Sequence, residues 1–174
     1  MKIYDGDGAD APPDGPGESG ERRPVGVAEF GVVDDLTTLV TSGLGSCVAV
    51  GLTDGENAAG LLHVMLPSAE GRDVDTPAKF ADTGVMVLIE ALCAIGADRD
   101  SLVGKIAGGS EMIRFRSQSA SIGTRNIEAV RRALEAEDVP LDGEDVGGDQ
   151  GRSVEFSMTG ELRVRTARAG ERSV

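Results

Sequence analysis

Two apolar runs, residues 48–52 and 58–65, flank the turn-forming segment Thr53-Asp54-Gly55-Glu56-Asn57. Each run has the length of a strand and is bounded by turn residues, so each reads as a buried strand. Pro67 stops the second. A tight connection makes the two runs antiparallel hairpin partners. That pairing brings the start of the first run towards the end of the second. Cys47 stands at the start of the first, just after the glycine-rich turn Gly43-Leu44-Gly45-Ser46, and His63 lies late in the second. The hairpin therefore gives the thiol and the imidazole a route to within a few ångströms of each other.

Other patterns place the remaining elements. Residues 25–33 and 36–41 read as strands around an Asp34-Asp35 turn. Residues 76–95 read as a helix, with Thr76 or Asp75 as its cap and Pro77 in its first turn. Phe80, Val87, Leu88, Leu92 and Ile95 supply its apolar face, and Gly96 ends it. Residues 102–107 read as a strand and residues 123–137 as a second helix, striped by Ile127, Val130 and Leu134. An acidic loop around a short strand follows, over residues 142–149. Residues 153–158 and 161–165 alternate and flank Thr159-Gly160, a hairpin signal. Strands near both ends bracket two helices, which argues for an α+β fold with mixed or antiparallel sheets. Residues 1–24, rich in acids, glycine and proline, read as a disordered arm. Residues 25–166 then form a single domain, and residues 167–174 read as a frayed tail.

Composition excludes several roles. The formal charge is −13, from 30 acidic and 17 basic residues. That excess repels phosphate backbones, so nucleic acid is not an expected partner, and neither are anionic membrane surfaces. Lysine occurs only at Lys2, Lys79 and Lys105. Many acids with few lysines point to a salt-rich cytoplasm, where repulsion is screened. No apolar run has the roughly 20 residues needed to span a bilayer, and no signal peptide is evident. A cytoplasmic location with reduced thiols is the expectation. Two cysteines, Cys47 and Cys93, do not make a disulfide framework.

The residues able to carry chemistry are few. A cysteine becomes a nucleophile at neutral pH when a base takes its proton, and His63 is the only histidine. The base in turn needs its second ring nitrogen oriented, for which Thr41, Ser42 and Ser46 are candidates. Flanking glycines allow the turn to expose amide N–H groups, and those of Ser46 and Cys47 are placed to hold an oxyanion. Cys93, on the periodic helix, reads as core. A structural zinc site needs more Cys or His than this chain has, so no metal is expected. Arg114, Arg116 and Arg125 form a modest basic group around a Ser/Gln-rich loop.

The run Thr41-x-Gly-Leu-Gly-Ser-Cys47-Val-Ala-Val, followed by His63-Val-Met-Leu-Pro67, resembles the chemoreceptor glutamine deamidases of the CheD family. Further matches follow in order: Lys79-Phe-Ala-Asp-Thr83, Lys105-Ile-Ala-Gly-Gly109, Ile122-Gly-Thr-Arg-Asn126, and Gly147-Gly148 with Arg152-Ser-Val-Glu155. Together they span roughly residues 25–165. The resemblance implies an α/β/β sandwich similar to toxin-type glutamine deamidases. It also implies a cofactor-free cysteine hydrolase that converts glutamine side chains of methyl-accepting chemotaxis receptors to glutamate through a thioester. Cys47 is then the nucleophile, His63 the base and Thr41 the residue that orients it. The resemblance further implies binding to a CheC-type phosphatase, and the alternative reading is an adaptor whose main duty is that contact. With the acidic composition, it implies a halophilic archaeal source.

Overall fold

The expected hairpin forms, and it lies at the centre of a larger sheet. The computed structural model describes residues 20–71, 74–111 and 120–174. In chain order the strands and helices are β1 (Arg22–Pro24), β2 (Phe30–Val33), β3 (Thr38–Leu44), β4 (Val48–Thr53), β5 (Ala59–Val64), α1 (Ala81–Ala94), β6 (Val103–Gly108), α2 (Ile122–Ala136), β7 (Leu141–Val146), β8 (Arg152–Phe156), β9 (Leu162–Thr166) and β10 (Gly170–Ser173). One sheet has the order β2-β5-β4-β6-β7 and the other β1-β3-β8-β9-β10. β1–β3 and β6–β7 pair in parallel, so both sheets are mixed.

The hairpin strands are buried on both faces because each face meets a different layer. Val48, Val50 and Leu52 of β4, with Leu62 and Val64 of β5, face Val85, Leu88 and Leu92 of α1 and Ile127, Val130 and Leu134 of α2. Ala49, Ala59 and Leu61 face the second sheet, where they meet Leu39, Val154, Phe156, Leu162 and Val164. The order helices, sheet, sheet is the expected α/β/β sandwich of α+β class. Small residues between the sheets let the layers approach: a Cβ on Gly51 would lie 2.7 Å from the Phe156 ring. Full burial of one such phenyl ring contributes about 1.5–3 kcal/mol.

Several boundaries differ from the pattern-based expectation. The strand expected over residues 25–33 is interrupted by a turn, in which Glu29 N–H donates to Gly26 C=O at 3.2 Å. Ala28, at φ 60°, occupies the left-handed region there. Arg22–Pro24, placed in the disordered arm by sequence, pairs with Thr38–Val40 instead. Gly170–Ser173, read as frayed tail, pairs with Arg163–Thr166. Both segments are exposed, so the hydrogen bonds of a neighbouring strand and surface pairs such as Arg22–Glu155 and Arg172–Asp145 hold them in place of core packing. Residues 1–19 lie outside the described residues.

The first helix begins later than expected. Pro77–Lys79 forms a separate 3-10 turn, and Thr76 makes no side-chain capping bond. Phe80 is extended because it bridges Leu66, and Ala81 N–H donates to Leu66 C=O at 2.9 Å. Val85, rather than Val87, completes the buried stripe of α1. Among the described residues no helix is long and apolar enough to cross a membrane.

Candidate active site

Thr41, Cys47 and His63 come from three segments that the sandwich brings together. Along β3, Leu39 and Thr41 point inward while Ser42 is exposed. His63 is fully buried on β5, and its ring reaches across the sandwich to Thr41. The Thr41 hydroxyl lies 2.8 Å from His63 Nδ1 and 2.7 Å from the Val25 carbonyl oxygen. A hydroxyl has one proton, and a carbonyl oxygen only accepts. The hydroxyl therefore donates to Val25, and Nδ1–H donates to the hydroxyl. This chain fixes the tautomer: Nδ1 carries the proton and Nε2 keeps its lone pair. Nε2 is buried and has no hydrogen-bond partner among the described residues. Of the three candidates for orienting the imidazole, Thr41 makes the contact, and Ser42 and Ser46 are exposed.

The backbone around His63 is built to supply that carbonyl. Ala28 N–H donates to His63 C=O and His63 N–H to Glu29 C=O, both at 3.0 Å. These bonds place the Gly26–Glu29 turn beside the imidazole, and Val25 just before it.

Cys47 lies on the same face of the central sheet as His63. Ala49 is directly opposite His63, so Cys47, two residues earlier, is its diagonal neighbour. It is half-buried against the inter-sheet core. The thiol makes no hydrogen bond to Nε2, the looser geometry common in unliganded sites. Burial pushes the Cys47 thiol above its ordinary 9.0 and the His63 imidazole below its ordinary 6.5. Both shifts have one cause, loss of water around the charged form. At neutral pH the two groups are an uncharged thiol and an uncharged imidazole, a pair suited to general-base activation. Cys93 packs against the helix-side core. The central sheet thus separates the two free cysteines.

The turn before Cys47 is held at three successive carbonyls. Ser110 N–H donates to Gly45 C=O and Gly109 N–H to Cys47 C=O, each at 2.8 Å. Between them, Asn126 Nδ2 donates to Ser46 C=O at 2.8 Å and to Met65 C=O at 3.0 Å. The amide N–H groups of Ser46 and Cys47 donate to none of the described residues. Gly108 permits the close approach, since a Cβ there would sit 2.2 Å from Cys47 oxygen. Buried Arg152 braces the far side, donating to Ser110 Oγ at 3.0 Å and pairing with Asp145 at 3.0 Å. Burial alone would raise the Asp145 pKa, but hydrogen bonds from Arg172 and Arg152 outweigh it and hold the carboxyl below its usual range.

Asn126, Ser110 and Arg152 were not singled out as site residues by sequence. One signal was present for Asn126: it falls on the apolar stripe of α2, one turn before Val130, where a polar side chain needs a buried partner. Of the basic group, Arg125 is exposed on α2, and Arg114 and Arg116 lie outside the described residues.

Residues 65–166 match the family model described as CheD chemotactic sensory transduction. A Haloarcula marismortui protein named probable chemoreceptor glutamine deamidase CheD is 47% identical over 169 residues, covering 96% of each chain. The chain belongs to the CheD family. A Thermotoga maritima relative named chemoreceptor glutamine deamidase CheD is 43% identical over 152 residues, covering 86% of this chain and 95% of that one. The same name is carried by a Halalkalibacterium halodurans protein, 45% identical over 156 residues, covering 86% and 96%. The family-model match begins at Met65, so Thr41, Cys47 and His63 precede it. For this CheD chain their assembly rests on the strand register and hydrogen bonds described above.

Proposed function

We propose that this chain is a chemoreceptor glutamine deamidase in which Cys47 is the nucleophile, His63 the general base and Thr41 the residue that orients the base. The observation that carries this reading is the Val25–Thr41–His63 hydrogen-bond chain. It leaves an unprotonated Nε2 on the face shared with Cys47. The substrate class comes from the names of relatives that this chain matches over most of its length.

Nε2 takes the thiol proton, and Cys47 Sγ attacks the carboxamide carbon of a glutamine side chain. The Ser46 and Cys47 amides are the proposed donors to the resulting oxyanion. Nε2–H gives its proton to the amide nitrogen, the C–N bond breaks, and ammonia leaves a thioester. Nε2 then takes a proton from water, the hydroxide adds to the thioester, and the C–S bond breaks. Sγ leaves with the proton that Nε2 took from water, which regenerates the Cys47 thiol and the free Nε2, and the product is glutamate. We place this reaction in the cytoplasm, on the cytoplasmic domain of the receptor, and include binding to a CheC-type phosphatase in the proposal.

Incubation with a receptor cytoplasmic domain, followed by peptide mass spectrometry at glutamines, tests the reading. The wild type converts glutamine to glutamate and Cys47→Ala does not. Equal conversion by Cys47→Ala would remove Cys47 from the nucleophile's role. Phosphatase pull-down by Cys47→Ala tests binding apart from catalysis, and no capture by either protein would remove that partner.

A further inference from the structure

Asn126 occupies a costly position for a side chain that serves packing alone. It is fully buried, and its Oδ1 has no hydrogen-bond partner among the described residues. A buried amide that leaves half of its capacity unused needs a reason, because an apolar residue there would avoid the loss. Its Nδ2 bonds give the reason a location. They join the C=O of Ser46, immediately before Cys47, to the C=O of Met65, two residues past His63. Asn126 thus ties together the two ends of the hairpin that carry the thiol and the imidazole.

The geometry of the peptide bond takes this further. Ser46 C=O and Cys47 N–H belong to one trans planar unit, in which they point in opposite directions. A donor that holds the Ser46 oxygen therefore sets the direction of the Cys47 N–H. That N–H donates to none of the described residues, so it remains available to an incoming oxygen. We propose that Asn126 is a positioning residue that aims the Cys47 amide at the developing oxyanion. This rests on the deamidase reading above and deepens it. Ser110 acts in the same way one residue earlier, but through its backbone N–H, which no side-chain substitution removes. Asn126 is the part of this arrangement that mutation can reach.

The test uses the full chain in a Cys93→Ala background, so that thiol alkylation reports Cys47 alone. Asn126→Ala deletes the donor, and Asn126→Asp keeps the size but replaces the donor with an acceptor. Three quantities are read: kcat and KM on a receptor cytoplasmic domain, the rate of Cys47 alkylation by iodoacetamide, and the far-UV circular dichroism melt. Alkylation is a displacement at carbon that needs no oxyanion donor, so it separates aiming of the amide from access to the thiol. The expected result is a kcat lowered about 10- to 100-fold in both variants, somewhat less than deleting an oxyanion donor outright. KM and the alkylation rate stay within about threefold of the parent. An unchanged kcat overturns the proposal. So does an alkylation rate that changes in step with kcat, or loss of the folded signal in both variants, since either makes Asn126 merely structural. A parent protein that is alkylated at Cys47 but deamidates no receptor overturns the deamidase reading instead.

Discussion

Replacing Thr41 with valine removes one oxygen and keeps the β-branched shape. Two buried groups then lose their partner, the Val25 carbonyl and His63 Nδ1–H. Each orphaned group costs about 1–3 kcal/mol, which gives a loss of about 2–6 kcal/mol for the pair. A domain with stability of about 5–15 kcal/mol stays folded through most of that range. The chemical effect is separate. With no acceptor at Nδ1, the ring is free to carry its proton on Nε2, and a protonated Nε2 takes nothing from the thiol. The expected fall in kcat is about 10²- to 10⁴-fold, the usual contribution of a positioned general base. Thr41→Ser keeps the hydroxyl and holds kcat within about tenfold. Ammonia release from a receptor cytoplasmic domain gives kcat and KM, and urea unfolding gives the stability change. A Thr41→Val protein within about 0.5 kcal/mol and about threefold of wild type would refute the hydrogen-bond chain as the source of the reactive tautomer.

Three further outcomes follow from the same geometry. The unfolded chain takes up the His63 proton near its ordinary 6.5, while the folded chain takes it up only at lower pH. The contribution of His63 to stability is thus fully present above pH 6.5 and lost as pH falls through the folded value. His63→Gln makes the urea midpoint less sensitive to acid, and an unchanged dependence would contradict the burial argument. Gly108→Ala puts a Cβ 2.2 Å from Cys47 oxygen at φ 119°. Backbone strain of about 1–3 kcal/mol plus the clash lowers the melting temperature and displaces Cys47, so activity falls as well; a native melt with full turnover would show that the close approach is not required. Ala28→Gly relieves the left-handed strain at φ 60°. It raises stability by about 0.5–1 kcal/mol with turnover unchanged, and a lower urea midpoint would count against strain at that turn.

Much of the central layer was legible because its signals are local. The residues of the β4–β5 hairpin carry their own turn, and a period of two then fixes which side chains share a face. That is enough to place Cys47 and His63 on one face of the central sheet. The apolar stripe of α2 was legible for the same reason, through Ile127, Val130 and Leu134. The start of α1 was not, because an extended bridge between Phe80 and Leu66 overrides the cap signal at Thr76. Nor were β1 and β10, whose exposed residues gain order from a neighbouring strand and from surface ion pairs, neither of which local periodicity encodes.

Sequence alone narrowed the proposed nucleophile and base to a few residues, since one histidine and two cysteines leave little choice. It also determined that the thiol and imidazole share a hairpin. Which of Thr41, Ser42 and Ser46 meets the imidazole was decided by tertiary structure. Thr41 belongs to the second sheet, and its contact with His63 crosses the sandwich. Asn126 reaches the Cys47 turn from a helix on the opposite side of the central sheet. Such contacts depend on how layers stack and in what register, and no local periodicity encodes that stacking. The proton on Nδ1 is the clearest case: its place follows from a carbonyl, a hydroxyl and a ring that come together only after both sheets have packed.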